Sequence, residues 1–278
     1  MNKINIKKVL TIYTTELKTK LRTILTWCGA ITAIILLYML LFPVVKDLAM
    51  DKMSAMPEGL LAMFGMEGMM DMTNYNLYFA MIYQLVVTVL CGYAIALGAS
   101  TFHNEETSGT IEFLYANNIS RLDIYIAKVA VVFTRLLAIS LCALIASLIS
   151  GAIVASDTIN ANAIFMGYLV SLVAILFFAS AGFLIASLVK KNKNTTGIAV
   201  GGMLFTYIMG YLGELGGDKL QFIKWLSPIH SLSVNDVIMS TWGIGVGKYP
   251  IVAFIIFISL TIALSVGSWF IYNKKDLQ

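Results

Sequence analysis

Six long apolar segments constrain the fold of this chain more than any other feature of its sequence. A helix needs roughly 20 mostly apolar residues to cross about 30 Å of hydrocarbon. The segments of that kind cover about residues 23–45, 77–102, 124–155, 163–189, 195–213 and 249–273. Because backbone groups in lipid need partners within their own segment, each is predicted to be a helix. The fold class is therefore an all-α integral membrane protein with six transmembrane helices, in a single transmembrane domain over residues 1–278.

The composition excludes several other classes of protein. Charged residues make up 12% of the chain and hydrophobic residues 59%, whereas a soluble domain carries about 25% charge. A disordered chain, a nucleic-acid binder and a small disulfide scaffold are excluded on this ground. The three cysteines, Cys28, Cys91 and Cys142, lie in separate apolar runs without metal-ligand spacing, so we interpret them as small buried side chains.

The distribution of basic residues predicts that both termini lie inside. With the N-terminus inside, 14 of the 19 basic residues fall on the inner side and nine of the 15 acidic residues fall outside. Inner loops of membrane proteins carry this excess of lysine and arginine. About 22 mostly polar residues precede the first apolar run, so we expect that run to be retained rather than cleaved as a signal peptide. We expect a multi-pass protein of the plasma membrane of a bacterial cell.

The N-terminal segment has the pattern of an amphipathic helix. Ile6, Leu10, Tyr13, Leu17 and Leu21 recur at helical spacing, with lysines on the other faces. The pattern predicts a basic helix over residues 1–22 that lies on the cytoplasmic leaflet before the chain turns into the membrane. A solvated tail that supplies only positive charge is the alternative.

The inside loop over residues 103–123 is the most informative stretch. Glu105 and Glu106 stand at the membrane edge, a small flexible run follows, and residues 111–115 can form a short helix with an apolar face. Ser120 is predicted to cap the next helix, with Asp123 at its third position. A short helix across the inner mouth can dock on a soluble partner. An ordinary connector explains the same residues equally well.

The order of residues in this loop resembles the signature of ABC-2 type transporter permeases, E-x-x-x-G-T-I/L-E-x-L-L followed by an arginine and a lysine. The matching residues are Glu105, Glu106, Gly109, Thr110, Ile111, Glu112, Phe113, Leu114, Ser120, Arg121 and Lys128. Residues 57–65 and 225–230 also resemble family segments after the first span and before the last. Residues 115–119 depart from the Leu-Ser-x-Pro run that is more frequent in the family.

The resemblance implies the membrane half of an ATP-driven transporter, in which two permease copies or paralogues pair with two separate ATPase subunits. ATP and Mg²⁺ are then bound by the ATPase, and this chain is no enzyme and holds no cofactor. The residues implied to couple it to the ATPase, through a coupling helix, are Glu105, Glu106, Gly109, Thr110, Glu112, Leu114 and Arg121. The resemblance also implies a re-entrant helical pair over the outside segment before span 6. Pro228 and His230 are the candidate outer-gate residues there.

The charges within the spans bear on the source of energy. The glycine-rich run at residues 243–249 lacks the first glycine and the hydroxyl of a P-loop. Gradient-driven transport usually needs ionisable residues deep in the spans, and here Arg135 stands near an inner end, about two turns in, where it can snorkel to the surface. The sequence favours export of an amphipathic drug, lipid-like molecule or peptide by a separately powered permease. A gradient-driven carrier or channel is the alternative.

Methionines are concentrated in the first outside segment. Eight of the 15 fall between Met50 and Met72, and Met63, Met66 and Met69 are spaced by three. Thioethers suit Cu(I), so a copper-related role is a minor hypothesis beside an adaptable apolar patch. In span 5, Gly197 and Gly201 have the spacing that allows close helix approach, within one bundle or between two copies.

Overall fold

The computed structural model of the chain describes residues 5–53, 74–108, 119–155, 159–189, 194–215, 220–242 and 251–274. Six helical stretches among these residues are long and apolar enough to cross a membrane, and the described part contains helices and no strands. The helices are α1 (Ile6–Leu40), α2 (Phe42–Met53), α3 (Tyr75–Ser108), α4 (Arg121–Val154), α5 (Ala161–Leu188), α6 (Thr195–Leu215), α7 (Gln221–Lys224), α8 (Pro228–Ser231), α9 (Val234–Trp242) and α10 (Ile251–Lys274). The prediction of an all-α chain with six spans is confirmed.

The first helix corrects the prediction for the N-terminus. α1 continues through residue 22 to Leu40, so the separate surface helix that turns into the membrane is wrong, as is the solvated tail. The sequence has no proline before Pro43, and Pro43 stands at the second position of α2, where a proline is tolerated. Asn5 caps the start of the helix. Because no proline or other strong helix-ending signal stands between the polar segment and the first span, the two form one continuous helix.

The helices α3 and α5 cross at the centre of the bundle with their backbones in contact. A Cβ atom added to Gly98 would lie 2.2 Å from the carbonyl oxygen of Ala179, and one added to Gly182 would lie 2.5 Å from the carbonyl oxygen of Ile95. Only glycine allows this approach. By contrast, a Cβ atom added to Gly201 would meet nothing within 4 Å. The Gly197 and Gly201 pair therefore does not bring helices together within the described part of one chain.

The bundle has two distinct ends. At one end, the backbone N–H of Asn5 donates to Asp123 at 3.0 Å, and Arg121 donates to the carbonyl oxygen of Asn273 at 3.1 Å. This loop end therefore joins the start of α1, the start of α4 and the end of α10. At the far end, the side chain of Asn76 accepts from the backbone N–H of Asn160 at 2.9 Å. The N-terminal helix and the last span thus share one end with the loop between α3 and α4.

Candidate functional site

The predicted coupling residues fall into three groups, two of which lie in the part of the chain that the structure describes. Glu105 and Glu106 fall in the last turn of α3, and their side chains lie outside the described part. Arg121 is the first residue of α4, and the preceding Ser120 caps that helix, because its hydroxyl accepts from the backbone N–H of Asp123 at 3.1 Å. The predicted cap is confirmed. The remaining coupling residues, Gly109, Thr110, Glu112 and Leu114, lie outside the described residues.

Both flanks of the loop enter one aromatic cluster at the loop end. Phe102 precedes the loop and Tyr125 follows it, and their rings stack with centroids 5.3 Å apart and planes 4° apart. Tyr272 of α10 lies 4.8 Å from the Phe102 ring, and Trp269 lies 5.4 Å from the Tyr125 ring. Phe183 of α5 meets Phe102 edge-on at 5.9 Å. The loop is therefore anchored in a packed cluster that includes the last span.

Hydrogen bonds connect the start of α4 to the end of α10 beside this cluster. The Tyr125 hydroxyl donates to the carbonyl oxygen of Ser265 at 2.6 Å and also contacts the hydroxyl of Ser268. The Arg121 guanidinium donates to the last turns of the same helix, at Asn273. The start of α4, which follows the loop, is therefore held against the end of α10.

A second set of contacts joins α1 to α4 near the loop end. Lys128 donates to Glu16 at 2.6 Å, with side chains 3% and 28% exposed. The hydroxyls of Tyr13 and Thr134 lie 3.1 Å apart on the same seam. The pairing of Glu16 was not predicted. The sequence feature that could have indicated an ion pair is that Glu16 is the single acidic residue before Asp47 and stands in a basic segment.

Arg135 lies on α4 two turns beyond Lys128, and it corrects a prediction. It is 7% exposed, and its Nη2 donates to the hydroxyl of Tyr93 on α3 at 2.9 Å. Tyr93 and Arg135 are nine and ten residues from the stacked pair Phe102 and Tyr125, so both lie about 14 Å into the bundle from that level. The guanidinium extends sideways to α3 at its own depth. The structure therefore shows a lateral hydrogen bond to Tyr93 in place of the snorkelling that the sequence allowed.

The far end carries the candidate gate residues. Pro228 begins α8, and the Nδ1 atom of His230 lies 3.0 Å from the Ser227 hydroxyl. The imidazole lies against Tyr207, with ring centroids 5.1 Å apart. Burial, together with the smaller effect of the positive charge of Lys224, lowers the pKa of His230 to about 4. The imidazole is therefore neutral near neutral pH and acts as a hydrogen-bonding group.

The segment around His230 differs from the predicted helical pair. The described residues 220–242 form three short helices, α7, α8 and α9, rather than two. Ser227 precedes the start of α8, Pro228 is its first residue, and Ser233 precedes the start of α9, so polar residues and a proline divide this segment into separate helices. Lys224 and Asp236 form an ion pair at 3.1 Å across these helices. The re-entrant placement of this segment stays a prediction.

Gln84 holds this segment against α3, and the sequence analysis missed it. Its Nε2 donates to the carbonyl oxygen of Ile229 at 3.2 Å, and its Oε1 accepts from the backbone N–H of Val234 at 3.0 Å. One side-chain amide thus provides hydrogen-bond partners for a backbone carbonyl of α8 and for the first backbone N–H of α9. The sequence feature that could have indicated this role is that Gln84 is the single side-chain amide in an uncharged, apolar span.

The predicted metal-related residues fall elsewhere. Met63, Met66 and Met69 lie outside the described residues, so the copper hypothesis stays a prediction. Among the described residues, no group of three or more His, Cys, Asp or Glu side chains is placed to hold a metal ion. The three cysteines are free.

The sequence matches a known family of proteins. The model of a family described as "ABC-2 family transporter protein" matches residues 10–277, which covers all six candidate spans almost completely. No curated protein matches the chain.

Proposed function

Because the chain belongs to the ABC-2 family of transporter proteins, we propose that it is a permease subunit driven by a separate ATPase that docks on the loop between α3 and α4. The family forms the membrane component of a transporter and is not itself catalytic. In this proposal, ATP and Mg²⁺ bind to the partner. Glu105, Glu106 and Arg121 flank the docking surface, and residues 109–114 form its centre.

The observation that carries this proposal is the anchoring of both flanks of the loop in the aromatic cluster. Phe102 and Tyr125 form a parallel stack, and Tyr272 of the last span lies against Phe102. Close-packed interiors transmit displacement because their side chains have few voids into which to relax. An ATPase that pushes the loop therefore moves three spans together. The ion pair of Glu16 and Lys128 extends that motion to α1.

The direction of transport and the class of cargo are part of the same proposal. With both termini inside, closure of the ATP-bound partners opens a path to the outside between two permease copies. The candidate outer gate is the segment of Pro228 and His230, held on α3 by Gln84. The spans carry few charges, which favours an amphipathic drug, a lipid-like molecule or a peptide as cargo. The membrane is then the plasma membrane of a bacterial cell.

The first experiment is purification of the chain from its native membrane in mild detergent. We expect a nucleotide-binding subunit of about 25–35 kDa, the size of one to two domains, to co-purify. Vesicles that contain this complex should couple ATP hydrolysis to uptake of an amphipathic dye. Transport that follows an ion gradient, with no ATPase in the preparation, contradicts the proposal and favours a gradient-driven carrier.

The second experiment tests the docking surface. Reversal of Glu105 and Glu106 to lysine, or Gly109→Pro, should leave the chain folded and uncouple ATP hydrolysis from transport. The matched control is the same double reversal at Asp47 and Asp51 of α2, away from the loop. Unchanged transport with normal ATPase binding in the loop variants would refute the assignment of this surface.

A further inference from the structure

Arg135 is a buried cation that no acidic residue of the spans balances. The six predicted spans contain no acidic residue, and their only basic residues are Lys128 and Arg135. Lys128 pairs with Glu16, whereas Arg135 is 7% exposed and makes one hydrogen bond among the described residues, to the neutral hydroxyl of Tyr93. Within the same described part, its Nε atom is buried and has no partner. An arginine keeps its charge in proteins, so this charge is fixed.

The acidic residues of the helices around Arg135 lie far toward the loop end. On α4 the acidic residue is Asp123, 12 positions before Arg135, and on α3 the first is Glu105, 12 positions beyond Tyr93. At 1.5 Å per residue, each is about 18 Å away along its helix axis. On α1 the acidic residue is Glu16, whose carboxylate lies 2.6 Å from the ammonium group of Lys128. The helices α5 and α10 contain no acidic residue. These five helices therefore do not cancel the charge of Arg135.

A charge of this kind acts over more than one helix diameter. At an effective dielectric constant of about 20, a second unit charge changes an equilibrium by about 15-fold at 10 Å and by about fourfold at 20 Å. A helix with its side chains is about 10 Å across. An amphiphile on the outer face of α1, α3 or α4, at the depth of Arg135, is therefore one to two helix diameters from the guanidinium. The interaction is favourable for an anion and unfavourable for a cation.

We propose that Arg135 determines the charge preference of the transporter, so that anionic amphiphiles are carried in preference to cationic ones. Arg135 acts through its electrostatic field and needs no contact with the cargo. The hydrogen bond to Tyr93 holds the guanidinium against α3 and leaves its charge in place, because the hydroxyl is neutral. That the amphiphile is cargo rests on the proposed function, whereas the electrostatic effect on an amphiphile at this depth does not.

The test compares three fluorescent amphiphiles that share one apolar skeleton and differ in the polar group. The groups are a sulfonate, an uncharged amide and a quaternary ammonium, none of which titrates near neutral pH. ATP-dependent uptake of each probe is measured in vesicles of zwitterionic phosphatidylcholine that contain the chain with its co-purifying ATPase. We expect the sulfonate to be carried faster than the ammonium by about tenfold or more, with the amide between them.

Variants separate the charge of Arg135 from its structural contacts. Arg135→Gln should lower the ratio of sulfonate to ammonium transport by about tenfold or more, and Arg135→Lys should retain the ratio. Tyr93→Phe removes the hydrogen bond and keeps the charge, so it should also retain the ratio. The matched control is Arg22→Gln, which removes an exposed cation of α1 that water and salt screen. If Arg135→Gln fails to fold, Tyr93→Glu tests the same point, because a carboxylate beside the guanidinium cancels its charge.

The outcomes that overturn the proposal are distinct from a failure of the proposed function. Equal sulfonate-to-ammonium ratios in Arg135→Gln and Arg135→Lys refute it, and an equal loss of all three probes in Arg135→Gln shows a structural role instead. Binding of the same probes to the chain alone, in phosphatidylcholine nanodiscs, measures the electrostatic effect without ATP. A binding preference for the sulfonate that Arg135→Gln loses, in a chain with no ATP-driven uptake, supports the electrostatic effect while refuting the proposed function. ATP-driven uptake without charge preference does the reverse.

Discussion

The buried ion pair between α1 and α4 makes the sharpest prediction about stability. Glu16→Gln keeps the size of the side chain and removes the carboxylate that lies 2.6 Å from the ammonium group of Lys128, a side chain that is 3% exposed. Removing one partner of a fully buried pair costs about 3–5 kcal/mol, and an exposed pair contributes about 0.2–1 kcal/mol. Because Glu16 is 28% exposed and water reaches its carboxylate, we expect an intermediate loss of about 2 kcal/mol.

The assay is thermal unfolding of the purified chain in detergent. A loss of 1 kcal/mol lowers Tm by about 2–4 °C in chains of about 150–250 residues and by less in longer chains, so Glu16→Gln should lower the Tm of this chain by about 4 °C. The matched control is Lys20→Met, which removes an exposed charge from the same helix and should leave Tm nearly unchanged.

A double-mutant cycle decides whether the effect belongs to the pair. Lys128→Met alone should also destabilise the chain, and the double variant Glu16→Gln with Lys128→Met should be more stable than the sum of the two losses predicts. An apolar replacement of both partners removes the buried charge and its need for a partner. Strictly additive losses in Tm would refute a direct interaction and the coupling of α1 to α4 that depends on it.

Three further predictions test other parts of the bundle. Gln84→Leu should weaken the far-end segment by about 2 kcal/mol, since two buried backbone groups lose their partners, and hydrogen exchange should accelerate over residues 228–238 while α1 is unchanged. Gly98→Val should abolish recovery of monodisperse protein, because its Cβ meets a backbone oxygen at 2.2 Å, whereas Gly202→Ala meets open space and should purify normally. Because the pKa of His230 falls from 6.5 to about 4 on folding, the unfolded chain binds more protons in that window, and stability should fall as pH drops from 6.5 to 4. His230→Gln should flatten this pH dependence of Tm, whereas a variant of the other histidine, His103→Gln, should retain it.

The local features of the fold could be read from the sequence. Hydropathy located six spans because each helix makes its backbone hydrogen bonds within its own segment, whatever helices lie beside it. The cap at Ser120 was predicted for the same reason, since the hydroxyl and the N–H of Asp123 are three residues apart. The amphipathic pattern before Thr23 correctly indicated a helix, but nothing in it showed that this helix continues into the first span.

The features that depend on distant partners could not be read in this way. Glu16 and Lys128 are 112 positions apart, and Gln84 bonds groups 145 and 150 positions away. The spacing of Gly197 and Gly201 matches a close-packing motif, yet the backbones that touch belong to Gly98 and Gly182, which share no local motif. A periodic pattern shows which residues share a helix face, and it does not show which helix that face contacts.

The unbroken first helix has a mechanical consequence. Its 35 residues span about 52 Å, which exceeds the hydrocarbon thickness of about 30 Å. We expect a rod of this length to act as a lever that pivots where the Trp27 ring stacks on α3. The arms on the two sides measure about 31 and 20 Å. A swing of about 3 Å at Ile6 would therefore move Leu40 by about 2 Å in the opposite direction, so that a push on one membrane face becomes a smaller, reversed displacement at the other.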